Sequence, residues 1–369
     1  MVDDETRVIG VDVARAAAVF GMVVVNFKTV MVVESAGPEW LVWMTGLLDG
    51  RAAATFVVLA GVGISLLSRR SRESGAPAAM ARDQGTLIRR AVFLFLFGLG
   101  WLPVWPGDIL HFYGVYICVA AFFLAAPTPR LLGGASVLVL LFMVLLFTLN
   151  YETGWDWDTL NYEGFWTPAG ILRHLLFNGF HPVVPWLAFM LVGMALGRLD
   201  LSDADIRTRV LRWSVPAVVL AETASWGLRR WIVAAALPAQ NEADLLAVLG
   251  TDPMPPVLLY MVAAGGTAVT VVVACVWLGN RYRDSVWIEP LVATGQMALT
   301  LYVAHVMIGM GVLEAAGVLE DQSLPFALLA ACIFCAAGAI FATTWMLRFQ
   351  RGPLEWVMRV ATDPRPRSG

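Results

Sequence analysis

The chain has 369 residues, of which 59% are hydrophobic and only 14% charged, with a mean hydropathy of +0.72. Soluble domains carry about 25% charged residues, so this composition excludes an ordinary soluble protein and predicts an all-α, polytopic membrane helical bundle. The net charge of −3 is uninformative for such a protein, because the location of the charges along the chain matters more. No basic tract interleaved with aromatic residues is present, which argues against a nucleic-acid partner.

About ten apolar segments are long enough for membrane-spanning helices, which need roughly 20 residues each. They cover residues 9–32, 52–68, 88–104, 109–126, 131–149, 183–199, 211–233, 256–279, 291–313 and 325–347. If the N-terminus is cytoplasmic, 19 of the 25 basic residues fall on the inner side and four on the outer side. Because basic residues favour the cytoplasmic side, we expect a multi-pass protein of the cell membrane with both termini cytoplasmic.

The organisation between these segments predicts a single integral membrane domain over residues 1–369, with a disordered tail at 361–369. Residues 150–182 are rich in Trp, Tyr and Asp and then become amphipathic. This pattern predicts an outer surface segment followed by a short interfacial helix. The segment 131–149 has no ionisable group and should face lipid. Gly193 and Gly197, four residues apart, predict close helix packing.

Charged groups at bilayer depth cost at least a few kcal/mol each and therefore mark candidate functional sites. Asp12 and Arg15 lie near the inner end of the first segment, spaced so that they can meet on one helix face. Two interpretations of these residues are open: a structural ion pair that fixes the start of the helix, or a contact near a cytoplasmic ligand. Asn26 and Lys28 lie near its outer end, where a snorkelling lysine and a role at an outer site are equally good interpretations.

All four histidines fall on the outer side or in the outer half of a segment: His111, His174, His181 and His305. His111, His181 and His305 lie on three different segments at similar depth, which suggests a shared cavity, with chance clustering as the alternative. Asp108 can hold the His111 ring in one tautomer while its other nitrogen accepts a proton. An acidic residue at a helix N-terminus is the alternative explanation of Asp108.

Six stretches occur in order along nearly the whole chain: GVDVARAAAVFGMVVVNF, LDGRAAATFVVLAGVGISLL, WPGDILHFYGVYI, HPVVPWLAFMLVGMALGR, GQMALTLYVAH and RGPLEW. Together they resemble the YeiB-like membrane proteins, relatives of heparan-alpha-glucosaminide N-acetyltransferase in the transmembrane acyltransferase superfamily. The resemblance implies an acyltransferase-like part at 8–230 and a family C-terminal part at 231–360.

The resemblance further implies that an acyl group, with acetyl as the expected one, passes from cytoplasmic acyl-CoA to an acceptor on the outer side. The acceptor is a hydroxyl or amine of a sugar, a lipid or a small metabolite. In the lysosomal relative the catalytic histidine lies in the loop after the first span. Here that loop, TVMVVESAGPEWLVWMTGLLDG, contains no histidine. His111 or His181 must take its role, or the chemistry is different.

Three sets of candidate site residues follow. The catalytic set is His111 as general base, Asp108 orienting it, and His181 and His305 assisting the acceptor or the oxyanion. The donor set, for the anionic acetyl-CoA, is Arg69, Arg70, Arg89, Arg90, Asp12 and Arg15, although topology alone also explains the arginines. The substrate set is Asn26, Lys28, Asp49 and Arg51. No metal is expected, and a homodimer is left open.

The alternative function is a transporter or channel for a small metabolite or lipid, in which the same buried polar groups form a proton relay or a gate. Many transporters contain internal repeats. The two halves of this chain show no convincing similarity, which favours the acyltransferase.

Overall fold

The long apolar runs of the sequence fold into helices, because a helix satisfies its backbone hydrogen bonds within one segment. The computed structural model describes residues 8–32, 37–157, 159–235 and 238–363. The helices are α1 (Ile9–Met31), α2 (Glu39–Gly46), α3 (Arg51–Leu67), α4 (Arg69–Ser74), α5 (Pro77–Trp101), α6 (Leu110–Ala121), α7 (Thr128–Thr148), α8 (Pro168–Arg173), α9 (Val183–Leu196), α10 (Ala204–Ala234), α11 (Ala239–Val248), α12 (Leu258–Arg281), α13 (Ile288–Gln296), α14 (Ala298–Ala304), α15 (Gly311–Ala315), α16 (Leu324–Met346) and α17 (Pro353–Thr362). Two π-helical turns, His174–Asn178 and His305–Met310, follow α8 and α14, and one short hairpin pairs Trp155–Asp156 with Asn161–Tyr162.

Each of the ten predicted segments coincides with helix, although by length and composition only six described helical segments could cross a membrane. These are Ile9–Met31, Glu39–Leu67, Thr128–Thr148, Leu258–Arg281, Ala298–Ala315 and Leu324–Met346, with α8–α9 as a bent seventh. The helix α6 has only 12 residues, and α10 carries charges at both ends. Because nearly all of its described elements are helices and six helical segments are long and apolar enough to cross a membrane, the protein is an all-α membrane bundle.

The predicted segment 291–313 is not one continuous helix. It breaks at Met297, between α13 and α14, and then passes through a π-helical turn. Glu355 on α17 accepts the backbone N–H groups of Leu299 (2.8 Å) and Thr300 (3.1 Å). The RGPLEW stretch thus supplies the partners that the first N–H groups of a new helix lack.

Close helix packing depends on small residues, as predicted for α9. A Cβ atom on Gly193 would overlap the carbonyl oxygen of Val58 on α3, and one on Gly197 would lie 2.8 Å from the Cα of Val62. This prediction is confirmed. The predicted lipid-facing segment, α7, buries only Leu131, Ala135 and Phe142 of its described residues, and it exposes large apolar side chains such as Val137, Leu140, Val144 and Phe147.

The helix α1 packs against α3, α12, α13 and α16, while α5 packs on α6, α7 on α9, and α10 on α12. We call the end where α1 ends and α3 and α6 begin the histidine end, and the opposite end the arginine end. The C-terminal residues 361 and 362 belong to α17. Of the tail that the sequence predicts to be disordered, residues 364–369 lie outside the described residues.

The aromatic segment 150–182 covers the histidine end and is tied together by Asn178. The Asn178 side chain donates to the carbonyls of Tyr151 (2.7 Å) and Thr153 (2.9 Å) and accepts from the Tyr162 hydroxyl (2.9 Å). Burial raises the pKa of Tyr162, so its hydroxyl remains a neutral donor. The segment is therefore held in a defined position above α6.

Candidate active site

Asp108 and His111 form a buried pair at the start of α6. One carboxylate oxygen of Asp108 accepts the backbone N–H of His111 (3.0 Å) and lies 2.9 Å from its Nδ1. The two residues are 0% and 1% exposed. Because a carboxylate only accepts, the hydrogen belongs on Nδ1, and Nε2 keeps its lone pair. Nε2 is buried without a hydrogen-bond partner among the described residues.

Tyr302 on α14 holds the other side of this carboxylate. Its hydroxyl donates to the second oxygen of Asp108 (3.3 Å) and accepts the backbone N–H of Ile109 (3.3 Å). Sequence reasoning missed Tyr302, because a tyrosine within an apolar helix resembles an ordinary core residue. The only signal was its position three residues before His305.

Gly98 on α5 allows the pair to lie where it does. A Cβ atom on Gly98 would overlap the backbone nitrogen of His111 and lie 2.7 Å from the Asp108 carboxylate. Glycine is the residue that permits such a close approach of one backbone to another. The packing of α5 on α6 therefore fixes the position of the pair.

His174, which the sequence analysis left out of the catalytic set, lies directly against His111. The two rings are stacked, with centroids 5.7 Å apart. His174 is buried among aromatic rings, with Tyr162 at 4.8 Å and Phe165 at 5.0 Å. The fold of the aromatic segment brings it there, and nothing in the local sequence around His174 indicates that fold.

The other two predicted histidines differ in their surroundings. His181 lies beside Phe112 (5.9 Å between centroids), and its buried Nδ1 has no partner among the described residues. His305 has both ring nitrogens engaged: Nδ1 with the Tyr302 carbonyl, and Nε2 with the Asn26 amide at 2.9 Å. His305 is therefore linked to Asp108 through Tyr302, and also through Trp105, whose ring lies 6.0 Å from that of His305 and whose carbonyl accepts the backbone N–H of Asp108 (3.2 Å).

The four residues of the predicted substrate set are already paired at the histidine end. The Lys28 ammonium lies 2.6 Å from both carboxylate oxygens of Asp49. Arg51 forms an ion pair with Glu222 of α10. Asn26 binds His305. These contacts join α1, α3 and α10, so the set is distributed around the end of the bundle rather than gathered at one point.

At the arginine end, Arg69 borders a cavity of about 330 Å³ together with Arg72 and Arg198. Arg72 belongs to the same basic run, RRSR at 69–72, as Arg69, whereas Arg198 stands alone in the chain and was missed by sequence reasoning. The cavity also contains the carboxylate of Asp200, whose pKa is lowered by hydrogen bonds from Ser202. Its described lining extends inward to Val11 and Val62 but does not include His111. The lining residues are Val8, Val11, Val62, Leu66, Arg69, Arg72, Glu73, Gly197, Arg198, Leu199, Asp200, Leu201, Ser202 and Asn280.

The rest of the predicted donor set lies elsewhere. Asp12 and Arg15 form an ion pair (2.6 Å), and Arg15 also donates to the Gly295 carbonyl of α13 (3.3 Å). Arg89 donates to the Thr362 carbonyl at the end of α17 (2.6 Å), and its neighbour Arg90 is half-buried. Arg70 is exposed. The structure therefore separates the six residues into three locations.

The part of the chain that contains Asp108 and His111 is similar to a known protein family. The model of the family described as heparan-alpha-glucosaminide N-acetyltransferase, catalytic, matches residues 7–231, which is more than half of the chain. The chain belongs to this family. The resemblance found in the sequence is thereby confirmed, and the match includes Asp108, His111 and the whole lining of the arginine-end cavity except Asn280.

A second family model, described as a protein of unknown function (DUF418), matches residues 218–365. Among curated proteins, the chain is 23% identical to the uncharacterized protein YxaH of Bacillus subtilis (strain 168), over 95% of this chain and 93% of that protein. Among the described residues, no group of three or more His, Cys, Asp or Glu side chains could hold a metal ion.

Proposed function

We propose that this member of the acetyltransferase family is a membrane-bound enzyme that transfers an acetyl group from acetyl-CoA to a hydroxyl or amine acceptor. The observation that carries the proposal is the Asp108–His111 pair, in which His111 Nε2 is buried and unpartnered among the described residues. A positioned imidazole of this kind is the commonest general base in enzymes.

The proposed reaction begins when His111 Nε2 removes the proton from the acceptor O–H or N–H. The acceptor atom attacks the thioester carbonyl carbon, and Asp108 stabilises the imidazolium that forms. The C–S bond then breaks as the tetrahedral intermediate collapses. CoA leaves as a thiolate and recovers the proton from His111, so the reaction balances without a metal or a redox partner.

The other predicted histidines have different proposed roles. His181, with an unpartnered Nδ1, can assist the acceptor or the oxyanion from the far side of Phe112. His305 acts through Tyr302 and positions Asp108 without touching the substrate. Asn26, Lys28, Asp49 and Arg51 are proposed to border the path by which the acceptor reaches the histidine end.

The donor is proposed to bind at the arginine end, where Arg69, Arg72 and Arg198 can hold phosphate groups. Arg198 also donates to the carbonyls of Leu124 (3.3 Å) and Ala126 (2.6 Å), just beyond α6. From there to His111 the distance is about 20 Å at the rise of a helix. The extended arm of acyl-CoA has to bridge this length.

The orientation belongs to the same proposal. The excess of basic residues favours a chain of ten spans in which the arginine end lies on the cytoplasmic side of the cell membrane. Both termini then lie in the cytoplasm. Acetyl-CoA then enters from the cytoplasm, and the acceptor is modified at the outer side.

The test uses the full-length protein in lipid nanodiscs with radiolabelled acetyl-CoA and a panel of amino sugars and alcohols. We expect release of CoA together with a labelled product, and a fall in turnover of at least about 100-fold in His111→Gln. The matched comparison is His305→Gln, the same chemical change at a histidine with both nitrogens engaged, for which we expect a smaller fall.

Two results would contradict the proposal. Full turnover in His111→Gln would remove the assigned base. Movement of a substrate across vesicle membranes without any release of CoA would instead support the transporter alternative.

A further inference from the structure

A cavity of about 660 Å³ lies between α10 and α11 at the histidine end, apart from the Asp108–His111 pair. Its lining is basic and polar on one side and apolar on the other. The lining residues are Glu222, Ser225, Trp226, Arg229, Arg230, Val233, Ala234, Leu246 and Thr251. The proposed acyl transfer uses none of their side chains directly, so the cavity requires its own explanation.

The carboxylate in this cavity is already neutralised. One oxygen of Glu222 pairs with Arg51, and the other accepts the hydroxyl of Thr251 at 3.0 Å. Arg230 lies over the ring of Trp226 at 5.0 Å, and no ion pair is found for it within the described residues. The cavity therefore offers the charge of Arg230 to a ligand, and the one carboxylate of its described lining, Glu222, is already paired.

Arg229 is the second cation of the cavity. Its guanidinium lies 3.2 Å from Asp252, and its side chain is 43% exposed in that ion pair. A pair as exposed as this contributes little to stability, so Arg229 can turn to a stronger anionic partner at small cost. Two guanidinium groups on consecutive residues then face the same space.

The other arginines at this end are held by less exposed contacts than Arg229 and Arg230. Arg51 is paired with Glu222 and buried. Arg173 donates to the Asn150 carbonyl and lies over the ring of Phe177 at 5.8 Å. Arginine is uncommon on the predicted outer side, and the contacts of these two, an exposed ion pair with Asp252 and a ring contact with the exposed Trp226, leave both guanidinium groups accessible to a ligand.

The surface beside the cavity matches the headgroup level of a membrane. Trp226, Trp231 and Val233 of α10 are 64%, 67% and 56% exposed. Tryptophan concentrates at the boundary between lipid and water. A ligand in the cavity therefore has its charged group at the arginines and an apolar helix face beside it, which suits a lipid and gives no advantage to a free anion.

We infer that the cavity between α10 and α11 binds the headgroup phosphate of a membrane phospholipid. Arg229 and Arg230 donate charge-assisted hydrogen bonds to the phosphate oxygens, and the lipid chains lie along the exposed face of α10. The inference is independent of the proposed acyl transfer, because it rests on the residues of this cavity alone.

The experiment measures binding of phosphatidylglycerol to the delipidated full-length protein in a neutral detergent by native mass spectrometry. We expect the double variant Arg229→Gln/Arg230→Gln to bind roughly tenfold more weakly. The matched control is Arg209→Gln/Arg212→Gln, which removes the same charge from exposed positions at the other end of α10. This control should bind phosphatidylglycerol as the unchanged protein does.

Two further probes separate the sources of the phosphate. Inorganic phosphate should compete only at far higher concentration than the lipid, and diacylglycerol, which has no phosphate, should not bind at the site. Equal binding of diacylglycerol, equal affinity for inorganic phosphate, or equal weakening in the control variant would each overturn the inference. Thermal unfolding of both double variants establishes that they are folded.

Discussion

The two ends of the bundle treat their polar residues in opposite ways. At the histidine end, Asp108, His111 and Tyr302 are at most 3% exposed and hold one another in place. At the arginine end, Arg69 has a side chain that is 68% exposed, and it pairs with Glu73, one helical turn away. The first arrangement restricts its groups to one geometry, whereas the second leaves them free to follow a ligand.

The difference has a physical origin. A buried carboxylate without hydrogen bonds is strongly unfavourable, so Asp108 must be surrounded by donors whose positions are fixed by packing. An exposed guanidinium keeps its hydration and needs no fixed partner. We therefore expect substitutions at the histidine end to change turnover, and substitutions at the arginine end to change the affinity for acyl-CoA.

The largest effect is expected for Asp108→Asn. An asparagine can present its amide group to His111 and favour the wrong tautomer, so kcat should fall by at least about 100-fold while KM for acetyl-CoA changes little. Steady-state kinetics in nanodiscs measures both, and Asp284→Asn, the same change at an exposed residue, is the control. A change in KM alone would break the contrast between the two ends.

Gly98→Ala should have the next largest effect. The added methyl group meets the His111 backbone and the Asp108 carboxylate, and overpacking of this kind costs about 1–3 kcal/mol. Both Tm and kcat should fall. The control is Gly100→Ala on the same helix, where the added methyl meets nothing within 4 Å. If the two variants behave alike, the contact between α5 and α6 does not fix the site.

A smaller effect is expected for Arg69→Gln at the arginine end. Loss of one charge-assisted contact to phosphate should raise KM for acetyl-CoA roughly tenfold and leave kcat unchanged. The effect should weaken at high salt, because the cavity is open to solvent and its charges are screened. Arg209→Gln is the matched control. A fall in kcat with an unchanged KM would contradict the assignment of this end to donor binding.

The smallest effect is expected for Tyr302→Phe, which keeps the ring and removes the hydroxyl from Asp108. We expect kcat to fall about fivefold with KM unchanged, because the hydrogen bond from the hydroxyl to the carboxylate is long, at 3.3 Å, and contributes on the order of 1 kcal/mol. A purely structural role would lower Tm and add to the effect of Asp108→Asn in the double variant. A positioning role predicts that Tyr302→Phe has little further effect once Asp108 is replaced.

Much of the fold could be predicted from the sequence, because a membrane helix requires a long run of apolar residues that is visible in the sequence. The helix break at Met297 is the exception, because the sequence around it is one continuous apolar run. The physical reason for the break is Glu355, more than fifty residues later, which accepts the backbone N–H groups of Leu299 and Thr300. No local pattern at the break indicates so distant a partner.

The candidate site divides in the same way. The sequence by itself determined the contact of Asp108 with His111 and that of Asp12 with Arg15, because residues three apart at a helix start share one face. Only the tertiary structure decided that His174 stacks on His111, that Tyr302 binds Asp108, and that Arg198 joins Arg69 at one cavity. Those contacts link segments far apart in the chain, and their geometry depends on how the helices pack rather than on any local spacing of residues.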